Sequence, residues 1–124
     1  MLWEALYWLY LLNAALLLVH EMDSAYWKEW DLFHLPGGLG GFLLIHIPLV
    51  MLVLYGVHEV AMVTDAAPWF SLGLAAAGVF AFTIHMVFLA KGRDEFRSKT
   101  SIGILIATLV VSVVQAAATV AVMI

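Results

Sequence analysis

The sequence predicts an all-α integral membrane protein, a bundle of four transmembrane helices with the N and C termini on the same, outer side. Three observations carry this. Of the 124 residues, 65% are hydrophobic and 11% charged, with a mean hydropathy of +1.06, far from the composition of a water-soluble domain. Four apolar stretches, residues 2–20, 41–60, 69–90 and 101–124, each approach or reach the roughly 20 residues that cross a bilayer. All five basic residues, Lys28, Lys91, Arg93, Arg97 and Lys99, fall in the first and third connections, whereas Glu4, His58, Glu59 and Asp65 lie on the opposite side without a Lys or Arg. By the positive-inside rule the basic side is cytoplasmic. Trp3, Tyr7, Trp8 and Trp69 at one boundary and Trp27 and Trp30 at the other fit aromatic belts.

The first helix is expected over residues 2–33. It has no basic leader, and acidic residues follow it where a small-residue cleavage site would stand, so it reads as a helix and not a signal peptide. Beyond the apolar stretch, His20, Ser24, Trp27, Asp31 and His34 recur at helical spacing on one face, with Lys28 and Glu29 off it. "LPGGLGG" then breaks the helix and permits a tight return. The second helix, 40–60, carries His46 and Pro48, and the proline frees a carbonyl one turn back. "TDAAPW" forms the outer turn.

The third helix, 69–91, contains Gly73, Ala77, Ala81 and His85 at four-residue intervals. Small residues in such a row admit a neighbouring helix and turn His85 inward. In "KGRDEFRSK", Arg93, Asp94, Glu95 and Arg97 read as solvated or headgroup-facing charges. The fourth helix, 100–124, places Ser101, Thr108, Ser112, Gln115 and Thr119 on one stripe that should also face inward. The whole chain, 1–124, is thus read as a single transmembrane domain with no extramembrane domain.

Depth gives the functional signal. With Lys28, Gly38, Lys91 and Lys99 marking the cytoplasmic boundary, the helical rise puts His20, His46, His85 and Thr108 about 9 to 14 Å below it, and Asn13 and Gln115 about 21 to 24 Å below. An ionisable residue such as Asp at a helix centre costs about 2.5 to 3.5 kcal/mol to insert, so histidines from three helices at one level need a shared reason. A metal supplies one. Imidazole suits zinc, iron, copper and nickel, and three histidines with a carboxylate form a common ligand set with an open position. The expected metal ligands are His20, Asp23, His46 and His85, with Ser24, Asn13, Thr108 and Gln115 around them. Glu21, rotated about 100° from His20, is the expected proton carrier or catalytic base. Ser24 stands where "HExxH" would need its second histidine, which excludes that zinc-protease motif.

The segment "HEMDSAYWKEWDLF", followed by the intramembrane "LLIHIPL", resembles small four-helix bacterial membrane proteins of an uncharacterised family with a His-Glu-x-Asp signature. That resemblance spans most of the chain and implies four helices without a reaction. A looser likeness in site chemistry is to alkaline-ceramidase-like membrane hydrolases, whose zinc is held by three His with Asp and Ser; His20, Asp23, Ser24, His46 and His85 are the same residue types, but helix number and order differ.

Three functions remain in view. The first is a metal-dependent membrane enzyme, using zinc or iron on a lipid-like or isoprenoid substrate from the cytoplasmic leaflet of a bacterial inner membrane. A b-type haem protein passing electrons to a quinone is the second, with two of His20, His46 and His85 as axial ligands. The third is a non-catalytic subunit or small proton-linked transporter. The adjacent carboxylates favour the first, since a haem leaves them unexplained. So short a bundle also allows a homo-oligomer or partner membrane subunit to complete a pocket. The absence of cysteine excludes thiolate metal sites and disulfides, and a net charge of −4 without a basic stripe excludes nucleic acid as partner.

Overall fold

A computed structural model describes residues 1–93 and 97–124; Asp94 and Glu95, expected as solvated charges, lie outside the described residues. The elements are α1 (Leu2–Tyr26), α2 (Glu29–Leu32), α3 (Gly38–Ala61), α4 (Ala67–Ala90) and α5 (Lys99–Met123). Among the described residues there is no strand. α1, α3, α4 and α5 are each long and apolar enough to cross a membrane, and the fold class is the all-helical one expected.

One repeat organises the packing. On α1 the inward residues are Leu6, Tyr10, Asn13, His20 and Ser24, on α4 Ala67, Ser71, Leu74, Gly78, Ala81 and His85, and on α5 Ser101, Leu105, Thr108, Ser112, Gln115 and Thr119, all of them buried. Steps of four and three alternate, a period of about 3.5 residues, which is the seam of helices that interdigitate at small crossing angles. At one end of the bundle Leu6, Val60 and Ala67 form an apolar cluster with Val122 against it. Both chain ends therefore lie at that end.

The middle of the seam is polar and closed on itself. Asn13 Nδ2 donates to Gln115 Oε1 at 2.8 Å and to Ser112 Oγ at 3.0 Å. Gln115 Nε2 donates onward to the backbone carbonyl and hydroxyl of Ser71, both at 3.0 Å. Ser71 Oγ lies 2.7 Å from Thr119 Oγ1, which donates to its own helix at Gln115 O. These five side chains are wholly buried, and each makes a hydrogen bond, as burial in an apolar medium requires. α1, α4 and α5 are thereby tied into one unit.

α3 is held more loosely. Leu43, Leu44, Ile45, Ile47, Met51, Leu52 and Leu54 on it are all exposed. At its C-terminal half the Tyr10 hydroxyl donates to Val53 O at 2.8 Å and lies so close over Gly56 that a Cβ there would fall 2.0 Å from it. The expected glycine break is only partly a break, since α3 already begins at Gly38: Gly37 has φ +96° as its cap, and a Cβ on Gly41, inside the helix, would meet Pro36 O at 2.9 Å. α5 begins with a side-chain cap, Ser98 Oγ accepting from Ser101 N–H at 3.0 Å.

Two expectations about faces change. The first helix does not continue to residue 33: it ends at Tyr26, Lys28 takes a left-handed conformation (φ 54°, ψ 56°), and α2 restarts in a new phase. Asp31 and His34 consequently point outward, while Trp30 and Leu32 are buried. On α4 the four-residue row is buried only at Ala81 and His85, with Gly73 and Ala77 exposed. Four residues overshoot a turn by about 40°, so the row winds off the seam. Gly78 makes the close approach instead, its missing Cβ lying 1.9 Å from Ser112 Oγ.

Candidate functional site

The seam that buries α1 and α4 carries both His20 and His85 to the interior, each only 2% exposed. Their rings meet edge to face, with centroids 4.5 Å apart and planes at 85°. A buried imidazole N–H needs an acceptor, and His85 finds it one turn back, with Nδ1 2.6 Å from Ala81 O. A carbonyl only accepts, so Nδ1 carries a proton. Nε2 faces Glu29, whose Oε2 is 4.0 Å away. Ser24, one turn beyond His20, places its hydroxyl 3.5 Å from His20 Nε2.

Glu29 arrives by the break in the first helix. Trp27 N–H closes on Asp23 O at 3.0 Å, the left-handed Lys28 redirects the chain, and Asp31 N–H bonds Lys28 O at 2.9 Å. Trp30 then stacks near Phe42, with centroids 5.4 Å apart, and Leu32 packs with Leu105. Anchored on both sides, the single turn of α2 holds the Glu29 carboxylate beneath the two histidines. One donor atom each from His20, Glu29 and His85 lies within 4.8 Å of the others.

That group could hold a metal ion. Ligand atoms of a tetrahedral zinc with bonds near 2.0–2.2 Å stand about 3.3 Å apart, so modest side-chain rotations close the three onto one ion. Two imidazoles and a carboxylate would leave a fourth position open. The backbone acceptor on His85 Nδ1 is the outer support such ligands need.

The other expected site residues stand elsewhere. His46 on α3 does not join this group. Its Nδ1 lies 2.7 Å from Phe42 O and its Nε2 2.6 Å from Glu21 Oε2. Since Nδ1–H is committed to a carbonyl, the short contact holds one shared proton between imidazole and carboxylate. Asp23 is part-exposed and also outside the group of three. Thr108 is buried and turns its hydroxyl to Ile104 O at 2.8 Å. At the opposite end of the bundle Glu59 is buried and accepts a hydrogen bond from Thr64, while His58 is exposed.

Glu29 is the group member that helical spacing misses. The sequence signal that could have found it is a second carboxylate just beyond "HEMD", within reach once the helix is allowed to end before the apolar pair Trp30 and Leu32.

The Glu21–His46 pair opens onto a cleft of about 320 Å³ between α1, α3 and α4. Leu17, Leu18, Leu49, Val53, Leu74 and Ala77 line its walls, and Tyr10 lies at the far end. α1 thus turns His20 to one site and Glu21 to another.

No curated protein and no solved structure matches the chain. Residues 6–122 match a family of unknown function (DUF6713), uncharacterised as the resemblance implied, and the chain belongs to that family.

Proposed function

We propose that this protein is a multi-pass membrane enzyme that holds a zinc- or iron-class divalent ion at His20, Glu29 and His85 and acts on a lipid-like substrate. The convergence of those three donors, two buried histidines and a part-buried carboxylate drawn from separate helices, is the observation that carries the reading. When bound, such an ion would supply a Lewis acid or an activated water. Glu21, paired with His46 and adjacent in sequence to His20, is the proton carrier of the proposal. Lys28, Lys91, Arg93, Arg97 and Lys99 cluster toward the same end of the helices as the site, which argues for a cytoplasmic-side centre, with a bacterial inner membrane as the proposed location. The aliphatic outer face of α3 is assigned to lipid.

The haem alternative fits less well at this pair. Axial imidazoles stand on opposite faces of a macrocycle, whereas the His20 and His85 rings are in edge contact. Elemental analysis with an optical spectrum on the detergent-purified protein tests the proposal. About one zinc or iron per chain without a Soret band is expected, lost in His85→Ala and kept in His46→Ala. Loss of metal in His46→Ala would return His46 to the ligand set. A Soret band would shift the reading to haem, and a metal-free protein after zinc or iron supply would leave a packing cluster in a subunit.

A further inference from the structure

We propose that the cleft between α1, α3 and α4 binds one single-chain lipid alcohol, its hydroxyl donating to the Glu21 carboxylate and its chain lying along α1 toward Tyr10. The inference supplies the substrate class of the enzyme reading and rests on it for its role, but binding itself needs no metal.

Shape comes first. At about 320 Å³ the cleft lies at the small end of ligand pockets, about 300–1,000 Å³, which fits one chain. From Tyr10 to Glu21 along α1 is about 16 Å at the helical rise, close to half of the roughly 30 Å hydrocarbon core. The length therefore matches a chain from a single leaflet. Leu49 and Leu52 line the cleft and are 48% and 56% exposed, so it opens sideways, where a lipid enters without crossing water.

The polar end selects the headgroup. His46 Nδ1–H is committed to Phe42 O, and the shared proton is committed between His46 Nε2 and Glu21 Oε2. No free donor remains on the pair, so a quinone carbonyl finds no partner there. The second Glu21 oxygen accepts no hydrogen bond from the described residues, and Glu21 lines the cleft. An acceptor at the end of an apolar groove calls for an O–H. A fatty acid would set a second carboxylate against Glu21, and no Lys or Arg lines the cleft to meet a phosphate, His46 being engaged by Glu21.

The probe is hexadecanol carrying a chain diazirine, photolysed with the full chain in nanodiscs, with adducts located by mass spectrometry on metal-loaded and chelator-treated protein. Adducts should concentrate on Leu17, Leu49, Val53 and Ala77, compete with unlabelled hexadecanol and resist hexadecanoate. Glu21→Gln should weaken that competition roughly tenfold, as loss of a charge-assisted hydrogen bond does, and Ala77→Trp should abolish labelling by filling the groove. Equal labelling of the outward Leu44 and Met51, equal competition by hexadecanoate, or an unchanged Glu21→Gln would each overturn the proposal. Labelling of a protein that takes up no zinc or iron when these are supplied would sink the metal centre and leave the lipid site standing. Metal retention without cleft labelling would do the reverse.

Discussion

Gly78 and Gly73 lie on the same helix, and the structure assigns opposite consequences to the same added methyl group. In Gly78→Ala the new Cβ falls 1.9 Å from Ser112 Oγ, 3.1 Å from Ser112 Cβ and 3.2 Å from Thr108 Cγ2. The hydroxyl must rotate away, which forfeits the 3.0 Å bond from Asn13 Nδ2, worth about 0.6 kcal/mol for an average interhelical pair in a membrane protein. The remaining contacts are tighter than the ordinary carbon separation of about 3.5–4.0 Å, and overpacking of this kind costs about 1–3 kcal/mol. Replacing a mid-helix glycine returns about 1 kcal/mol. The sum is a loss of about 0.6–2.6 kcal/mol for Gly78→Ala. Around Gly73 a Cβ meets nothing within 4 Å, so Gly73→Ala should keep the helix gain of up to about 1 kcal/mol. Reversible unfolding in mixed micelles titrated with SDS reads both. If Gly78→Ala proved as stable as Gly73→Ala, the α4–α5 contact described above would be wrong.

Further expectations follow from other contacts. Gly56→Ala puts a Cβ 2.0 Å from the Tyr10 hydroxyl and should destabilise by about 1–3 kcal/mol, with Tyr10→Phe in the same chain recovering part of it; an additive double variant would refute the contact. Asn13→Leu and Gln115→Leu should each destabilise, and their double-mutant cycle should show coupling of about 0.6–1.7 kcal/mol, while zero coupling would separate residues bonded at 2.8 Å. Under the metal proposal, Glu29→Gln removes a ligand and should weaken zinc retention by more than the roughly 10- to 100-fold that loss of an outer-shell partner costs, and Asp23→Asn should leave it unchanged in metal-binding titrations. The reverse order would put Asp23 in the centre.

Much of this architecture was readable because a bilayer leaves polar side chains few places to go. The polar stripe of the last helix, Ser101, Thr108, Ser112, Gln115 and Thr119, is buried throughout, and Asn13 meets Gln115 at the level that helical rise gives them. His20 and His85 sit at matching depth on matching seams. Depth along a helix says nothing of azimuth, however, so the level shared by His46 did not reveal that it faces Glu21. Glu29 was hidden for a different reason. "AYWKEWDLF" contains no glycine or proline, and no local rule breaks the helix within it. The break comes with tertiary contacts, Trp30 against Phe42 and Leu32 with Leu105, which set a phase that helical spacing does not contain.

Two clasps on α3 explain why the cleft exists and why it is separable from the metal centre. Toward the C-terminal end of α3 Tyr10 bonds Val53 O across Gly56, and toward its N-terminal end Glu21 meets His46. Between the clasps α1 offers Ala14, Leu17 and Leu18 and α3 offers Leu49 and Val50, with no hydrogen bond joining the two helices there among the described residues. The helices are thus pinned apart at two points and gapped in the middle. α1, α4 and α5, by contrast, are joined by the Asn13–Gln115–Ser71 network through the same depth. A chain entering the cleft need only displace α3, which buries fewer residues than α1, α4 or α5, and leaves His20 and His85 on the rigid side. Because the Glu21–His46 clasp is also the polar end of the cleft, Glu21→Leu should both loosen α3 and remove the headgroup acceptor, whereas His46→Gln retains a hydrogen-bonding partner for Glu21. Faster amide exchange confined to α3 in Glu21→Leu, with α1, α4 and α5 unchanged, is the expected signature; exchange rising equally in all four spans would mean that α3 is not a separately held element.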